Sequence, residues 1–271
     1  MKIVYILFAF ILLLAGCRKE EALPVNNLRS GPYLTFVKTI SNGEKTVQNE
    51  FLYNPDGTIK SELSYKNFKA GLVGSKKTYQ YQNGRLFSIE RATDYSSSSF
   101  TVNYTISKTT FDYDNDNTII QSNNFLKKDN EYEFTSFFTY TYNNKKLLVK
   151  VSRYAAGGLL FGYSTYTYDE NDNVTSEENY GIDQSGNPVK QSQQSYQYDD
   201  QKNPYRNTSD LAGSIPYSIS RNNVTVTTSV YYTLDTQGVT STLTAKYNAY
   251  NAAGYPISMN YQGNTFEFEY K

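Results

Sequence analysis

Carboxylates are the side chains of this chain whose type and spacing could do chemistry. Three pairs stand out, and these are Glu131 with Glu133, Glu177 with Glu178, and Glu267 with Glu269. A glycoside hydrolase needs two carboxylates about 5–10 Å apart across a cleft, and pairs on one face of a strand can meet that distance. Apolar residues alternate with Glu267 and Glu269, so we expect these two side chains in solvent. A carbohydrate-active hydrolase is therefore kept as an alternative function.

An alternating run of acidic residues at Asp112, Asp114 and Asp116 resembles the start of a calcium-binding loop. An EF-hand loop also needs glycine at its sixth position and glutamate at its twelfth. Asn117 and Asn123 stand at those positions. Turn formation accounts for the Asp/Asn cluster. We predict no metal site and no cofactor.

Composition removes most other catalytic chemistries. The chain has no histidine and a single cysteine, Cys17. Ser-His-Asp and Cys-His nucleophiles, histidine-based zinc sites and cysteine–metal clusters are therefore excluded. With 26 basic and 26 acidic residues, the chain carries no electrostatic signature of nucleic-acid binding. We predict a protein that is not an enzyme.

Tyrosine pairs of the form Tyr-x-Tyr recur at intervals of about 30 residues, a spacing typical of repeat arrays. The copies are Tyr79-Gln80-Tyr81, Phe111-Asp112-Tyr113, Tyr140-Thr141-Tyr142, Tyr166-Thr167-Tyr168 and Tyr196-Gln197-Tyr198, with looser copies at Phe51-Leu52-Tyr53 and Tyr247-Asn248-Ala249-Tyr250. Both rings of a pair lie on one face of a strand. They are either an aromatic platform for a ligand or the core of a curled sheet. The candidate binding residues are Tyr81, Tyr142, Tyr168 and Tyr198, and recurrence in every unit favours a core role.

Each pair is followed by a turn sequence such as Asn83-Gly84 or Asp172-Asn173, and then by an alternating run. In the first run we expect Ile59, Leu63 and Tyr65 on one face, opposite Lys60, Glu62 and Ser64. The long interval between Tyr198 and Tyr250 suggests a degenerate copy near Tyr232. Two strands per unit predict roughly fifteen strands in one all-β domain, residues 31–271. We expect an antiparallel meander that forms a rolled or superhelical sheet.

The segment from Tyr166 to Val174, with Tyr168-Asp169 and Asp172-Asn173, resembles the YD repeats of Rhs-type proteins and of related bacterial lipoproteins of unknown function. The resemblance extends from about Phe51 to Tyr270. It implies a chain of β-hairpins. Rhs-type proteins form a shell around a toxin, and this chain is too short for that function to follow.

The N-terminus predicts export and lipid attachment. An apolar run from Ile3 to Leu14 is too short for a spanning helix and is typical of a secretory signal. Leu14-Ala15-Gly16-Cys17 resembles a bacterial lipobox, which implies that Cys17 is acylated. Residues 1–16 are then a signal peptide and residues 17–30 a lipidated tether. Lys19-Glu20-Glu21 resembles a tag for the outer face of the outer membrane.

These features together predict a lipid-anchored envelope protein that is a non-catalytic binding or scaffold module, with a glycan or an envelope protein as possible partner. A carrier of an apolar envelope ligand is a further alternative. We also considered a membrane-spanning barrel. Such strands need a continuous lipid-facing apolar band, and the strands here carry too much threonine, serine, asparagine and lysine.

Overall fold

The computed structural model describes residues 32–271 except 42, 96–103, 207–214 and 234–235, and it gives only the backbone of residues 233, 236 and 237. The predicted signal peptide, Cys17 and the whole of the predicted tether lie outside the described residues. Sixteen strands and one short helix are present in the described part. They are β1 (Leu34–Ser41), β2 (Glu44–Tyr53), β3 (Ile59–Asn67), β4 (Leu72–Gln82), β5 (Arg85–Asp94), β6 (Tyr104–Tyr113), β7 (Ile119–Lys128), β8 (Glu131–Tyr142), β9 (Leu148–Ala155), β10 (Leu160–Tyr168), β11 (Val174–Ile182), β12 (Pro188–Lys202), α1 (Ile215–Ile219), β13 (Asn222–Thr233), β14 (Thr236–Tyr250), β15 (Pro256–Tyr261) and β16 (Asn264–Tyr270).

The sheet is an antiparallel meander that closes into a barrel. Each strand pairs with the next one along the chain, and β16 returns to pair with β1. Tyr33 and Lys271 exchange two backbone hydrogen bonds of 3.0 and 3.1 Å beside this closure. The prediction of an all-β antiparallel meander is confirmed. The prediction of a rolled or superhelical sheet was too loose, because pairing of β1 with β16 removes both free edges.

The turn sequences lie where the sequence placed them. Asn83 and Gly84 join β4 to β5 with φ of 53° and 73°, and Asp172 has φ of 61° between β10 and β11. Positive φ is the conformation that asparagine, aspartate and glycine accept most easily. The turns that follow the tyrosine pairs all join an even-numbered strand to the next odd-numbered one, so they lie at the same end of the barrel, here called the motif end.

A β-bulge follows each of these turns. In the first hairpin Tyr53 pairs with Ile59 while Leu52 pairs with Ser61, so Lys60 has no partner of its own. The same skip recurs in the other hairpins of the motif end, and the skipped residues are Lys60, Phe87, Ile120, Val149, Thr175, Thr225 and Ile257. Phe87, Ile120 and Ile257 are 43%, 43% and 39% exposed, because the bulge turns them outward.

The bulge reverses the alternation that the sequence suggested. Ile59 is buried in the core, and beyond the skipped Lys60 the inward residue is Glu62, which pairs with the buried Phe51. Leu63, expected on the face of Ile59, lies on the opposite face. The predicted grouping of Ile59 with Leu63 and Tyr65 was therefore wrong. A single extra residue moves every later side chain of a strand to the other face.

The long interval between Tyr198 and Tyr250 contains an insertion and no degenerate repeat. Among the described residues of this interval, β13 and β14 are the only strands between the strand of Tyr198 and the end of the strand of Tyr250, which is the number in the other units. The extra length comes from these long strands and from the β12–β13 connection, residues 203–221. Within that connection Ile215 and Ile219 of α1 belong to the same buried cluster as Leu148. The described part of the connection therefore packs into the core at the motif end, and we call it the plug.

The outer face of the barrel carries ion pairs beside exposed apolar side chains such as Phe87 and Ile120. Lys45 and Glu267 form an ion pair of 2.7 Å across the strands that close the barrel, and Lys190 and Glu178 form one of 2.8 Å. Charged side chains of this kind are costly on a lipid-facing wall and ordinary in contact with water. Among the described residues, no helix is long and apolar enough to cross a membrane.

Candidate functional site in the barrel lumen

Together with Tyr270 of β16, the second tyrosine of every motif except Tyr247–Tyr250 forms part of a ring that we call the tyrosine collar. Its hydroxyl reaches the backbone of the preceding odd-numbered strand: Tyr168 donates to the Leu148 carbonyl at 2.6 Å, and Tyr142 donates to the Ile119 carbonyl at 2.9 Å. The collar consists of Tyr53, Tyr81, Tyr113, Tyr142, Tyr168, Tyr198 and Tyr270. Each unit is thus attached to its neighbour by a side chain as well as by the strand ladder.

The collar contains all four tyrosines that the sequence offered as binding candidates, Tyr81, Tyr142, Tyr168 and Tyr198. Their rings pack against the buried core. Burial raises the pKa of each of these four phenols above its ordinary value of 10.0. Because the rings pack against the core and the hydroxyls are hydrogen-bonded to the backbone, the collar has the arrangement of a structural part of the core.

The carboxylate pairs of the sequence do not come together as pairs. Glu131 and Glu133 are exposed at the start of β8. Glu267 and Glu269 lie on the outer face, where Glu267 meets Lys45. The third pair is divided by the wall of the barrel, with Glu178 outside and Glu177 inside.

The acidic run considered as a calcium loop is a turn. The Asp114 carboxylate accepts hydrogen bonds from the backbone amides of Asp116 and Thr118, at 2.9 and 2.8 Å. This is an Asx-type turn that uses its own carboxylate. Among the described residues no group of three or more acidic, cysteine or histidine side chains is placed to hold a metal ion.

Beyond the collar, the inner wall is lined by short polar side chains, which we call the polar belt. Asn49 donates to Ser64 at 2.7 Å, and Thr109 donates to Asn124 at 2.9 Å. Pairs of this kind follow one another around the wall, and the members that hydrogen-bond to each other are Asn49, Ser64, Thr109, Asn124, Ser136, Ser164, Asn179 and Ser192. The lumen beyond the core is therefore a hydrogen-bonding surface.

One inward position of the odd-numbered strands holds a buried apolar residue in some units and a carboxylate in others. Counting three residues on from the first core residue of the strand gives Ile89 on β5 and Val151 on β9, each 2% exposed. The same position holds Glu62 on β3 and Glu177 on β11. Glu62 is matched by a cation, because Lys77 lies 3.0 Å from its carboxylate.

Glu177 has a different environment. It pairs with Tyr166 on one side and Gln194 on the other, both inward-facing. Its carboxylate accepts a hydrogen bond of 3.0 Å from the Tyr196 hydroxyl. Burial raises the pKa of Glu177 above its ordinary value of 4.5, although hydrogen bonds from Tyr196 and Asn179 oppose that rise. Among the described residues, Glu177 has no ion-pair partner.

Arg153 on β9 supplies a cation to the same wall. Its Nη1 donates to the Ser164 hydroxyl at 2.9 Å, and its positive charge acts on Glu177 without forming an ion pair with it in the described structure. The residue opposite Arg153 on β10 is Gly162, which brings no side chain. We call Arg153, Ser164, Glu177, Asn179 and Tyr196 the Arg153–Glu177 wall.

The wall offers a charged donor, a charged acceptor and several neutral hydrogen-bonding groups within four consecutive strands, β9 to β12. Sequence reasoning missed it because no motif contains Arg153, and simple alternation puts Glu177 outside. A usable signal was present nonetheless: glutamate stands at a repeat position that holds the uncharged residues Ile89, Ser122, Val151 and Thr227 in other units. Such an arrangement can hold a polar ligand, and it presents one carboxylate where a glycosidase needs two.

No protein-family model matches the chain, and no curated protein matches it. Among solved structures it is similar to a porin-like protein from Bacteroides uniformis, with 12% sequence identity and a TM-score of 0.48, over 87% of this chain and 95% of that chain. A porin-like protein from Bacteroides vulgatus matches 89% of this chain and 99% of its own, with 12% identity and a TM-score of 0.41. A TcdB2-TccC3 structure without the hypervariable C-terminal region matches 80% of this chain with 8% identity and a TM-score of 0.31, and the match covers 14% of that longer chain.

Proposed function

We propose that this protein is a lipid-anchored, non-catalytic binding module of the bacterial envelope, and that it takes a hydrophilic ligand into its lumen. The observation that carries the proposal is the polar belt. Hydroxyl and amide groups on an inner wall are costly to bury without hydrogen-bond partners. A wall built from them suits water or a ligand with many hydrogen-bonding groups.

The same belt argues against the apolar-carrier alternative. An apolar ligand would lie against Asn124, Asn179 and their neighbours without offering any hydrogen-bonding group to them. Barrels that hold apolar ligands need an apolar interior wall. Here the apolar part of the interior is filled by the tyrosine collar and the plug.

The hydrolase alternative is supported by one residue, Glu177, whose raised pKa suits a general acid. Among the described inward residues of β9 to β12, however, Glu177 is the one carboxylate. The absence of enzyme activity stays a prediction.

Lipid attachment through Cys17 and residence at the outer membrane also stay proposals, supported by the lipobox-like Leu14-Ala15-Gly16-Cys17. The water-compatible outer face is consistent with a barrel held at a membrane by a tether. The YD-repeat resemblance is supported by the recurring hairpin unit and the regular collar.

A binding experiment tests the lumen. The full-length protein, purified in detergent, is titrated calorimetrically with neutral oligosaccharides from dextran, xylan and mannan, and with palmitate. We expect at least one oligosaccharide to bind and to be recovered intact. Ser64→Trp, which fills the lumen from β3, should weaken that binding at least about tenfold, whereas Thr242→Trp on the outer face should not. Binding of palmitate alone, or of no saccharide, would contradict the proposal.

A further inference from the structure

The position of Glu177 within the repeat indicates a specialised site. In other units the equivalent position holds a buried residue without charge, which is Ile89, Ser122, Val151 or Thr227. A carboxylate at such a position loses hydration that an isoleucine never had, so it weakens the fold unless something else requires it. The repeat itself provides the comparison, because the same backbone position tolerates an apolar residue in other units.

Glu62 and Glu177 differ in whether a cation is paired with the carboxylate. Glu62 occupies the equivalent position on β3, where Lys77 forms an ion pair with it and Tyr79 donates a hydrogen bond of 3.4 Å. The charge of Glu62 is thus balanced by Lys77, whereas the hydrogen-bonding partners of Glu177 are the neutral groups Tyr196, Asn179 and Tyr166. Glu177 therefore keeps acceptor capacity that its protein neighbours use only in part, since a carboxylate has about four lone-pair sites.

Arg153 shows the complementary property on the neighbouring strands. A guanidinium has five N–H donors, and the described structure assigns one hydrogen bond to it, from Nη1 to Ser164. Gly162 leaves the space opposite Arg153 without a side chain. A Cβ at Gly162 would lie 2.6 Å from the Tyr180 carbonyl oxygen, so the local backbone also requires glycine there.

A donor-rich cation and an acceptor-rich carboxylate are thus held on one wall without neutralising each other in an ion pair. A hydroxyl group fits between such partners, because it accepts a hydrogen bond from the guanidinium and donates one to the carboxylate. Two hydroxyls on adjacent carbon atoms can contact the Arg153 guanidinium and the Glu177 carboxylate at the same time. Asn179 and Ser164 can then form hydrogen bonds with further hydroxyls of the same ligand.

We propose that the Arg153–Glu177 wall is a saccharide site that recognises vicinal hydroxyl groups of a neutral sugar ring inside the barrel. This inference rests on the proposed hydrophilic ligand and names its class. An anionic sugar would be repelled by Glu177 when that group is ionised. A metal ion would be repelled by Arg153.

Matched substitutions on the inner and outer faces of β9 and β11 test the site. Glu177→Gln and Arg153→Gln change the inner groups, while Glu178→Gln and Lys150→Gln change their outward neighbours on the same strands. The probe is the neutral oligosaccharide that binds the unmodified protein most tightly, together with its O-methylated derivative. We expect each inner substitution to raise Kd at least about tenfold and each outer one to change it less than about twofold.

Methylation separates recognition from a purely structural role. Methyl ethers cannot donate to a carboxylate, so the O-methylated probe should bind the unmodified protein weakly, and Glu177→Gln should discriminate less between the two probes. Circular dichroism and thermal unfolding confirm that each variant is folded. If the oligosaccharide binds and Ser64→Trp blocks it, but neither inner substitution changes Kd, this site is wrong and the lumenal function stands. If no oligosaccharide binds, both proposals fail.

Discussion

At the scale of single residues, the two tyrosines of a pair have different roles: the first packs in the core, and the second also forms a hydrogen bond to the backbone. The first ring, as in Tyr166, is buried in the core. The second ring, as in Tyr168, packs beside it and uses its hydroxyl to hold the carbonyl at the start of the preceding strand. A phenylalanine can therefore replace the first tyrosine, as Phe111 does, more easily than the second.

Substitution of Tyr168 separates these contributions. We expect Tyr168→Phe to lower the free energy of unfolding by about 1 kcal/mol, because one hydrogen bond to the Leu148 carbonyl is lost. Tyr168→Ala should cost about 3 kcal/mol or more, because a large side chain leaves the core. Denaturant unfolding measures both. Tyr95→Ala, at a residue 71% exposed, is the control. Little loss of stability in Tyr168→Ala would show that the collar is not structural.

Glu177 and Glu178 should affect stability with opposite dependence on pH. Burial raises the pKa of Glu177 in the folded state, so the folded protein binds that proton more tightly, and stability falls as the pH rises above 4.5. Hydrogen bonds from Lys190 and Tyr180 lower the pKa of Glu178, so its contribution is present above pH 4.5 and is lost as the pH falls.

Urea unfolding at a series of pH values tests this assignment. Relative to the unmodified protein, Glu177→Gln should become more stable as the pH rises from 4.5 and then level off. Glu178→Gln should instead become less stable, relative to the unmodified protein, as the pH rises toward 4.5, and should level off above that value. Parallel pH profiles for the two variants would contradict the placement of one carboxylate inside the wall and the other outside.

The pair also shows what could not be predicted from the sequence. Alternation counted from Val174 places Glu178 inside and Glu177 outside. The bulge at Thr175 reverses that assignment. A bulge leaves one residue without a partner in the strand ladder and increases the local twist beside the turn. The bulged residues Lys60, Phe87 and Thr175 are of different types, so residue type does not predict the bulge. Residue types therefore predicted the strands and turns. Whether a side chain points into the barrel or out of it depended on the β-bulge, which residue types do not predict.

At the scale of elements, the plug is the one departure from the repeated hairpin. Asn203 donates through Nδ2 to the Tyr217 carbonyl at 2.6 Å and to the Ser220 carbonyl at 3.0 Å, which ties the two ends of the insertion together. Tyr217 packs edge-on against Tyr196, with ring centroids 6.3 Å apart. Because Tyr196 also donates to Glu177, the plug supports the Arg153–Glu177 wall. A helix of five residues is too short to show a helical periodicity, so α1 could not be predicted from the sequence.

Removal of one plug side chain should show how far the barrel depends on it. Ile219 is buried with the core of the surrounding strands. We expect Ile219→Ala to lower the free energy of unfolding by about 2–5 kcal/mol. Ile257→Ala, at an outward bulge position, should change it by about 0.5 kcal/mol or less. Equal effects in thermal or denaturant unfolding would mean that the plug adds nothing to the stability of the barrel.

At the scale of the whole molecule, the barrel and its attachment are separable. The hairpin repeat and its turns predicted the meander, but closure depends on β16 meeting β1, and no local sequence feature encodes a pairing between the two ends of a chain. Attachment is predicted to depend on Cys17, which lies outside the described residues. The two parts can therefore be altered independently.

Membrane attachment should be lost without loss of the fold when Cys17 is replaced. We expect Cys17→Ser to shift the protein from the membrane to the soluble fraction, or to leave its signal peptide uncleaved, with unchanged circular dichroism. Cell fractionation and mass spectrometry of the N-terminal peptide measure this. An unmodified Cys17 thiol in the mature, membrane-bound protein would contradict lipid attachment.

The junction between β1 and β16 also constrains the order in which the protein can fold. Its hydrogen bond from Thr35 to the Glu269 carbonyl joins residues 234 positions apart, whereas every other strand pair is local. Contacts this distant in sequence are slow to form, because a long loop must close first. We therefore expect the hairpins to assemble in sequence and the junction to form last. Until then two strand edges stay open, and the nascent barrel is most exposed to association with other copies.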